Sequence, residues 1–208
     1  MVKRLLSVEE ARAVEDAIFA VEKRSATEMV VAIVSKSADY WSYRVLIACG
    51  WAMAAALGLH YASPWLPALW VVLVQVPVGA MVFLVLAWPP LQRWMVPADR
   101  AEAAVRQRAF ALFAERGLHR TQMSTGLLIL VSELEHRVVI LGDSGIHDQV
   151  GDAGWTEHVA HLVTHIREGR AAAGLLEVIA RLETKLATIV PARSDNIDEL
   201  PNAVLMLD

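Results

Sequence analysis

Chemistry-bearing side chains gather most densely in Asp143-Ser144-Gly145-Ile146-His147-Asp148, with Asp152 just beyond. Asp143, Asp148 and Asp152 could offer carboxylate oxygens to a hard divalent cation, Ca²⁺ or Mg²⁺. Gly145 lets backbone amides approach a ligand closely. The segment follows an apolar run, RVVILG, and reads as a loop leaving the C-terminal end of a strand, where open α/β sheets place ligands. Ser124 and Thr125, just before the preceding run GLLILVS, would lie beside it at the sheet edge. The competing reading is a surface loop whose acids cap the next helix, with Asp152 as a residue of that helix's N-terminus.

A second group is His158, His161 and His165, on one face of a helix expected from about Gly154 to Arg167. His161 and His165 have the i, i+4 spacing that can share a metal ion. Leu162-Val163-Thr164 lie between them, so there is no HExxH arrangement, and the other reading is the polar flank of an amphipathic helix. A nucleophile is harder to find. Cys49, the single cysteine, lies in an apolar stretch, and neither GxSxG nor Ser-x-x-Lys is present. Asp143 acting as a nucleophile would need a second acid, such as Asp148, and a cation.

The elements that must carry these residues read as follows. Ser7-Val8-Glu9-Glu10 is a capping box that opens a helix to about Lys23, with Ala11, Val14, Ile18 and Val21 as its apolar stripe. EMVVAIVS, residues 28–35, is a nearly continuous β-branched run suited to a strand covered on both faces. Pro97 opens a helix to about Glu115, with Ala101, Val105, Leu112 and Phe113 facing inward and Gly117 as its left-handed stop. Residues 126–132 and 137–142 form an antiparallel strand pair joined by a four-residue loop. Helices over 154–167 and 171–189 follow, and then a tail punctuated by Pro191 and Pro201 that packs as an extended segment. The expected fold class is α/β: a three-layer α/β/α domain on a small mixed sheet.

That domain is interrupted. Val45 to Gln92 contains no Asp, Glu, Lys or Arg. It holds two apolar runs, 45–61 and 66–88, each long enough to cross a bilayer. The turn between them, Ala62-Ser63-Pro64-Trp65, permits only a tight hairpin. Tyr40, Trp41, Tyr43, Tyr61, Trp65, Trp88 and Trp94 sit where an aromatic belt would stand. Lys36 and Arg44 precede the first run, Arg93, Arg100, Arg106 and Arg108 follow the second, and the turn is uncharged. The expectation is a multi-pass protein of the cell (inner) membrane with both termini cytoplasmic. Residues 1–44 and 93–208 then rejoin as one soluble domain around a hairpin at 45–92, and no signal peptide is expected at the N-terminus. Pro77 would kink the second span. Gly50, Ala54, Ala55 and Gly58 permit close approach, either of a partner's helix or of the hairpin's own second arm. A net charge of -4 and the lack of a basic stripe argue against nucleic acid.

The segment TGLLILVSELEHRVVILGDSGIHDQVGDAGWTEHVAHLVTHIREGRAAAGLLEVIARLETKLA resembles the TPM domain. LSVEEARAVEDAIFAVEKRSATEMVVAIV is similar to that domain's first helix and strand, and DNIDELPN to a tail of membrane-bound bacterial members. The specific marks are the SLEER-like turn Ser132-Glu133-Leu134-Glu135-His136-Arg137 and the glycine-containing exit loop followed by an Asp. The resemblance implies a helix-flanked mixed sheet, often tethered to a membrane, with calcium binding in some members and phosphatase activity in others. The chain departs from the pattern at Ser124-Thr125-Gly126, where Asp-Asn-Gly is usual, and at His147, which replaces a Glu. The function expected is a non-enzymatic binding, assembly or quality-control module for a membrane protein partner or a second copy of the chain. The alternative is a metal-dependent phosphatase-like hydrolase centred on 143–152.

Overall fold

The computed structural model describes residues 5–121, 123–192 and 204–207, with only the backbone described at Asp152 and Ala153. In chain order the first elements are α1 (Val8–Arg24), β1 (Glu28–Val34), α2 (Trp41–Ala62), α3 (Ala68–Leu73), α4 (Gln75–Val85) and α5 (Pro89–Met95). There follow α6 (Ala98–Glu115), β2 (Gly126–Ser132), β3 (Arg137–Gly142), α7 (Ser144–Arg167), α8 (Ala171–Ile189) and β4 (Leu205–Leu207). The chain divides into two compact units, Met1–Ser37 with Glu102–Asp208, and Ala38–Ala101.

The first unit is built on a mixed sheet in the order β3-β2-β1-β4. β1 runs parallel to β2 with Val31 opposite Ile129, and parallel to β4 with Ile33 opposite Met206. β2 and β3 are antiparallel, with Ile129 opposite Ile140. All seven residues of β1 and of β2 are buried. Alternation along the strands explains how both faces are covered. Met29, Val31, Ile33, Leu127, Ile129 and Val131 share a core with α1, α7 and α8. Val30, Ala32, Val34, Leu128 and Leu130 face Val105, Ala109 and Leu112 of α6. The three-layer arrangement is therefore present.

The capping box is complete: Glu10 N–H donates to the Ser7 hydroxyl, and Ser7 N–H to the Glu10 carboxylate at 2.7 Å. Gly117 has φ 72°, the left-handed conformation expected of it. Of the tail, Leu205–Leu207 extends the sheet as an edge strand, while DNIDELPN lies outside the described residues.

One element is corrected. The expected loop at 143–148 is the opening of α7, which starts at Ser144 with Asp143 as its N-cap. Its Asp-Ser-Gly and Gly-Asp-Ala-Gly stretches look loop-like, yet Ile146 is fully buried and Val150 packs against the same core. The break that does occur is at Gly151, with φ 67° and ψ 166°, which bends the helix inside the segment.

In the second unit, Trp41–Ala62 and Ala68–Val85 are helices long and apolar enough to cross a membrane. They pack against one another through small residues. A Cβ on Gly79 would lie 3.6 Å from Ala52 Cβ, and Ala48, Ala52 and Ala56 form the buried stripe of α2. At the other end of the pair Arg44 Nη2 donates to Phe83 O at 2.8 Å, and its guanidinium covers the Phe83 ring. That carbonyl is released because the helix tightens there: Ala87 N–H bonds to Leu84 O instead. The second arm is interrupted at Val74. Pro77 explains the interruption, since it has no N–H for the Leu73 carbonyl.

Candidate functional site

The structure divides the residues singled out in the sequence into two places. At the end of β3, Asp143 Oδ1 accepts from Ser144 N–H at 2.7 Å, as an N-cap. Its other oxygen is buried with no hydrogen-bond partner among the described residues. Gly145 N–H donates to Ser124 O at 3.0 Å, so Ser124 does lie beside this turn. A Cβ on Gly145 would stand 2.7 Å from the carbonyl oxygens of Met123 and Ser124, which fixes glycine there. Thr125 is engaged elsewhere, its buried hydroxyl donating to Ala26 O at 2.5 Å. Ser144, His147 and Asp148 are exposed on the first turns of α7. Asp148 is five residues from Asp143, about 140° around the helix, so the two carboxylates do not face one point. The side chain of Asp152 lies outside the described residues.

The histidines of α7 behave differently. His161 and His165 stand one turn apart with ring centroids 4.5 Å apart. Glu177, in the second turn of α8, reaches across to both: its Oε2 is 2.8 Å from His161 Nε2 and 3.6 Å from His165 Nε2. One ligand atom from each of the three side chains lies within 4.8 Å of the others. Sequence reading found the two histidines and missed Glu177, because nothing in the spacing of two separate helices says which residues meet. The i, i+4 pair was the signal available.

The surroundings hold this arrangement in place. His165 Nδ1 is 3.1 Å from the His161 carbonyl oxygen, one turn back, which orients its ring. Arg181 donates to Glu177 Oε1 at 2.9 Å and leaves Oε2 toward the imidazoles. Interaction with His161, followed by that with Arg181, holds the Glu177 carboxyl below its usual range. His161 Nε2 is buried and has no well-directed hydrogen bond despite the nearby oxygen. Helices α7 and α8 approach closely because residue 174 is glycine: a Cβ there would be 2.6 Å from His165 Cβ.

His158, one turn before His161, belongs to a different environment. It is 2% exposed, and its Nε2 lies 3.3 Å from Lys185 Nζ. Burial, reinforced by the Lys185 charge, lowers its pKa.

Residues 92–185 match the family model described as the TPM domain. The chain is similar to the TPM domain over that stretch. Its fold is similar to the NMR structure of BA42 protein from the psychrophilic bacterium Bizionia argentinensis, with a TM-score of 0.62 and 22% identity over 99% of this chain and 98% of that one. At that identity the likeness is one of fold. A comparison with curated proteins finds no match.

The matched segment contains β2 and β3, and β1, from before the hairpin, and β4, from beyond the match, complete their sheet. The SLEER-like turn does much of the joining. Ser37 N–H donates to Glu135 Oε1 at 3.0 Å, Glu135 Oε2 accepts from the Ser132 hydroxyl, and Leu5 N–H donates to Glu133 at 3.2 Å. These acids tie the β2–β3 turn to the segments flanking α1 and β1. Their role in the described structure is architectural.

Proposed function

We propose that this chain is a TPM domain anchored in the cell membrane by its hairpin, both termini cytoplasmic, and that it works as a non-enzymatic assembly or quality-control module for another membrane protein. One observation carries this reading. The hairpin unit turns its large apolar side chains outward, with Leu46 at 72%, Val76 at 72% and Leu84 at 68% exposed. Each such side chain left in water forgoes about 1.5–3 kcal/mol of burial, and a bilayer supplies that burial. The aromatic residues at the ends of the arms and the arginines flanking them support the same placement.

The docking face for a partner's helix is Gly50, Ala54 and Gly58. These lie on the side of α2 away from Ala48, Ala52 and Ala56, and all three are exposed, with open space at the two glycines. Small residues at i, i+4, i+8 let a second helix approach closely.

Membrane fractionation with an alkaline wash and a reporter fused after Asp208 tests the anchoring: retention in the pellet with a cytoplasmically active reporter is expected. Release by the wash, or a reporter active only outside the cytoplasm, overturns it. A photo-crosslinking side chain at position 54 should then join the chain to a membrane protein or to a second copy. The same group at Val76 should meet lipid. Equal products from both positions would leave the α2 face without a role.

A further inference from the structure

We propose that His161, His165 and Glu177 form a binding site for a divalent transition metal, with Zn²⁺ the best fit. It is independent of the membrane reading. Three observations support it together. The ligand set is right: two imidazole nitrogens and one carboxylate oxygen suit zinc and its neighbours, whereas Ca²⁺ and Mg²⁺ prefer oxygen alone.

The distances are right as well. Zinc bonds of about 2.0–2.2 Å in tetrahedral geometry set neighbouring ligand atoms about 3.3 Å apart. The separations from Glu177 Oε2, 2.8 Å to His161 Nε2 and 3.6 Å to His165 Nε2, straddle that value. All three ligand atoms lie within 4.8 Å of one another, and rotation of the side chains closes the remaining separation onto one ion.

The supporting contacts are those a ligand shell requires. A metal-bound histidine commonly donates its other ring N–H to a backbone carbonyl, and its carboxylate partner is itself hydrogen-bonded. His165 Nδ1 has the His161 carbonyl at 3.1 Å, and Glu177 has Arg181 at 2.9 Å. The buried His161 Nε2 lies 2.8 Å from a carboxylate oxygen yet makes no directed hydrogen bond, and an ion between the two would engage both atoms. Glu177 is 44% exposed. The site therefore opens to solvent, and water or an exchangeable group completes the coordination. It lies on α7 and α8, away from the Asp143 turn.

Metal-stripped full-length protein in detergent micelles is to be titrated with Zn²⁺ against a competing chelator, and with Co²⁺ while the visible absorption of the bound ion is followed. Expected are one equivalent bound, a rise in Tm on loading, and a Co²⁺ spectrum of mixed nitrogen and oxygen ligation. His161→Gln, His165→Gln and Glu177→Gln should each weaken Zn²⁺ by more than about 10-fold, while His119→Gln binds as the wild type does. Circular dichroism checks that each variant folds. Glu177 lies at the surface, so Glu177→Gln is decisive should a histidine variant unfold. No binding by the wild type overturns the site. So does binding that survives Glu177→Gln unchanged, which would also place the ion elsewhere in the chain.

Discussion

A buried imidazole sets how this domain should answer acid. His158 is enclosed between α7 and α8, with Lys185 at 3.3 Å from its Nε2 and its Nδ1 without a hydrogen-bond partner among the described residues. Burial and then Lys185 lower its pKa, with Arg181 and His161 adding to the effect and Glu157 opposing it. Above about pH 6.5, the ordinary histidine value, the ring is neutral folded or unfolded and contributes no pH dependence. Below it, the unfolded chain takes up a proton that the folded chain refuses, so stability falls as pH drops toward the folded pKa. The slope from one such group is at most about 1.4 kcal/mol per pH unit. Urea midpoints between pH 7 and pH 5 should therefore decline for the wild type and decline less for His158→Gln. Parallel declines would place the acid sensitivity in other groups. His161 and His165, on the same helix, show how strongly neighbourhood decides: they face a carboxylate, while His158 faces an ammonium group.

Between elements, the decisive contact is the crossing of α7 and α8 at Gly174. A methyl group there would meet His165 Cβ at 2.6 Å and Leu162 Cδ1 at 3.1 Å. Alanine would gain up to about 1 kcal/mol of helix propensity, but overpacking of this kind costs about 1–3 kcal/mol. Gly174→Ala should thus lower stability by about 1 kcal/mol in a denaturant titration and displace His165. Zinc affinity should then fall by about 10–100-fold, as it does when the supports of a ligand are lost. Unchanged zinc binding in a destabilised variant would show that His165 does not depend on this crossing. The same crossing explains what sequence could and could not disclose. The strands at 126–132 and 137–142 were legible because buried runs and a four-residue turn are local signals, and so was the Ser7–Glu10 box. The start of α7 was not, because Asp-Ser-Gly is equally good as a loop and as a capped helix opening. Only the fit of Ile146 and Gly145 against the sheet end decides. Glu177 was illegible for a plainer reason, since α8 carries two acids, Glu177 and Glu183, and only the packing angle selects one.

For the whole molecule, the question is how a domain survives interruption by an apolar hairpin. The described contacts of the sheet-bearing unit give an answer. Ser37, the last residue of its first segment, bonds to Glu135 at 3.0 Å, and Glu102, the first of its second, pairs with Arg137 at 3.1 Å. Both ends of the interruption are thus held at the β2–β3 turn, by residues two apart in sequence. The sheet closes across the gap, because β1 from the first segment lies between β2 and β4 of the second. A flexible linker of about eight Gly and Ser residues has an end-to-end reach of about 16 Å, enough to join points tied to neighbouring residues. Replacing 38–101 by such a linker should therefore yield a water-soluble, monomeric domain with a cooperative unfolding transition. It should bind Zn²⁺ as the full chain does, and it should no longer sediment with membranes. Gel filtration, circular dichroism melting and the Co²⁺ spectrum check the three properties separately. A shortened chain that aggregates or melts without cooperativity would mean that the hairpin is part of the domain's stability. One that folds but loses zinc would mean that the hairpin unit helps to position α7 and α8.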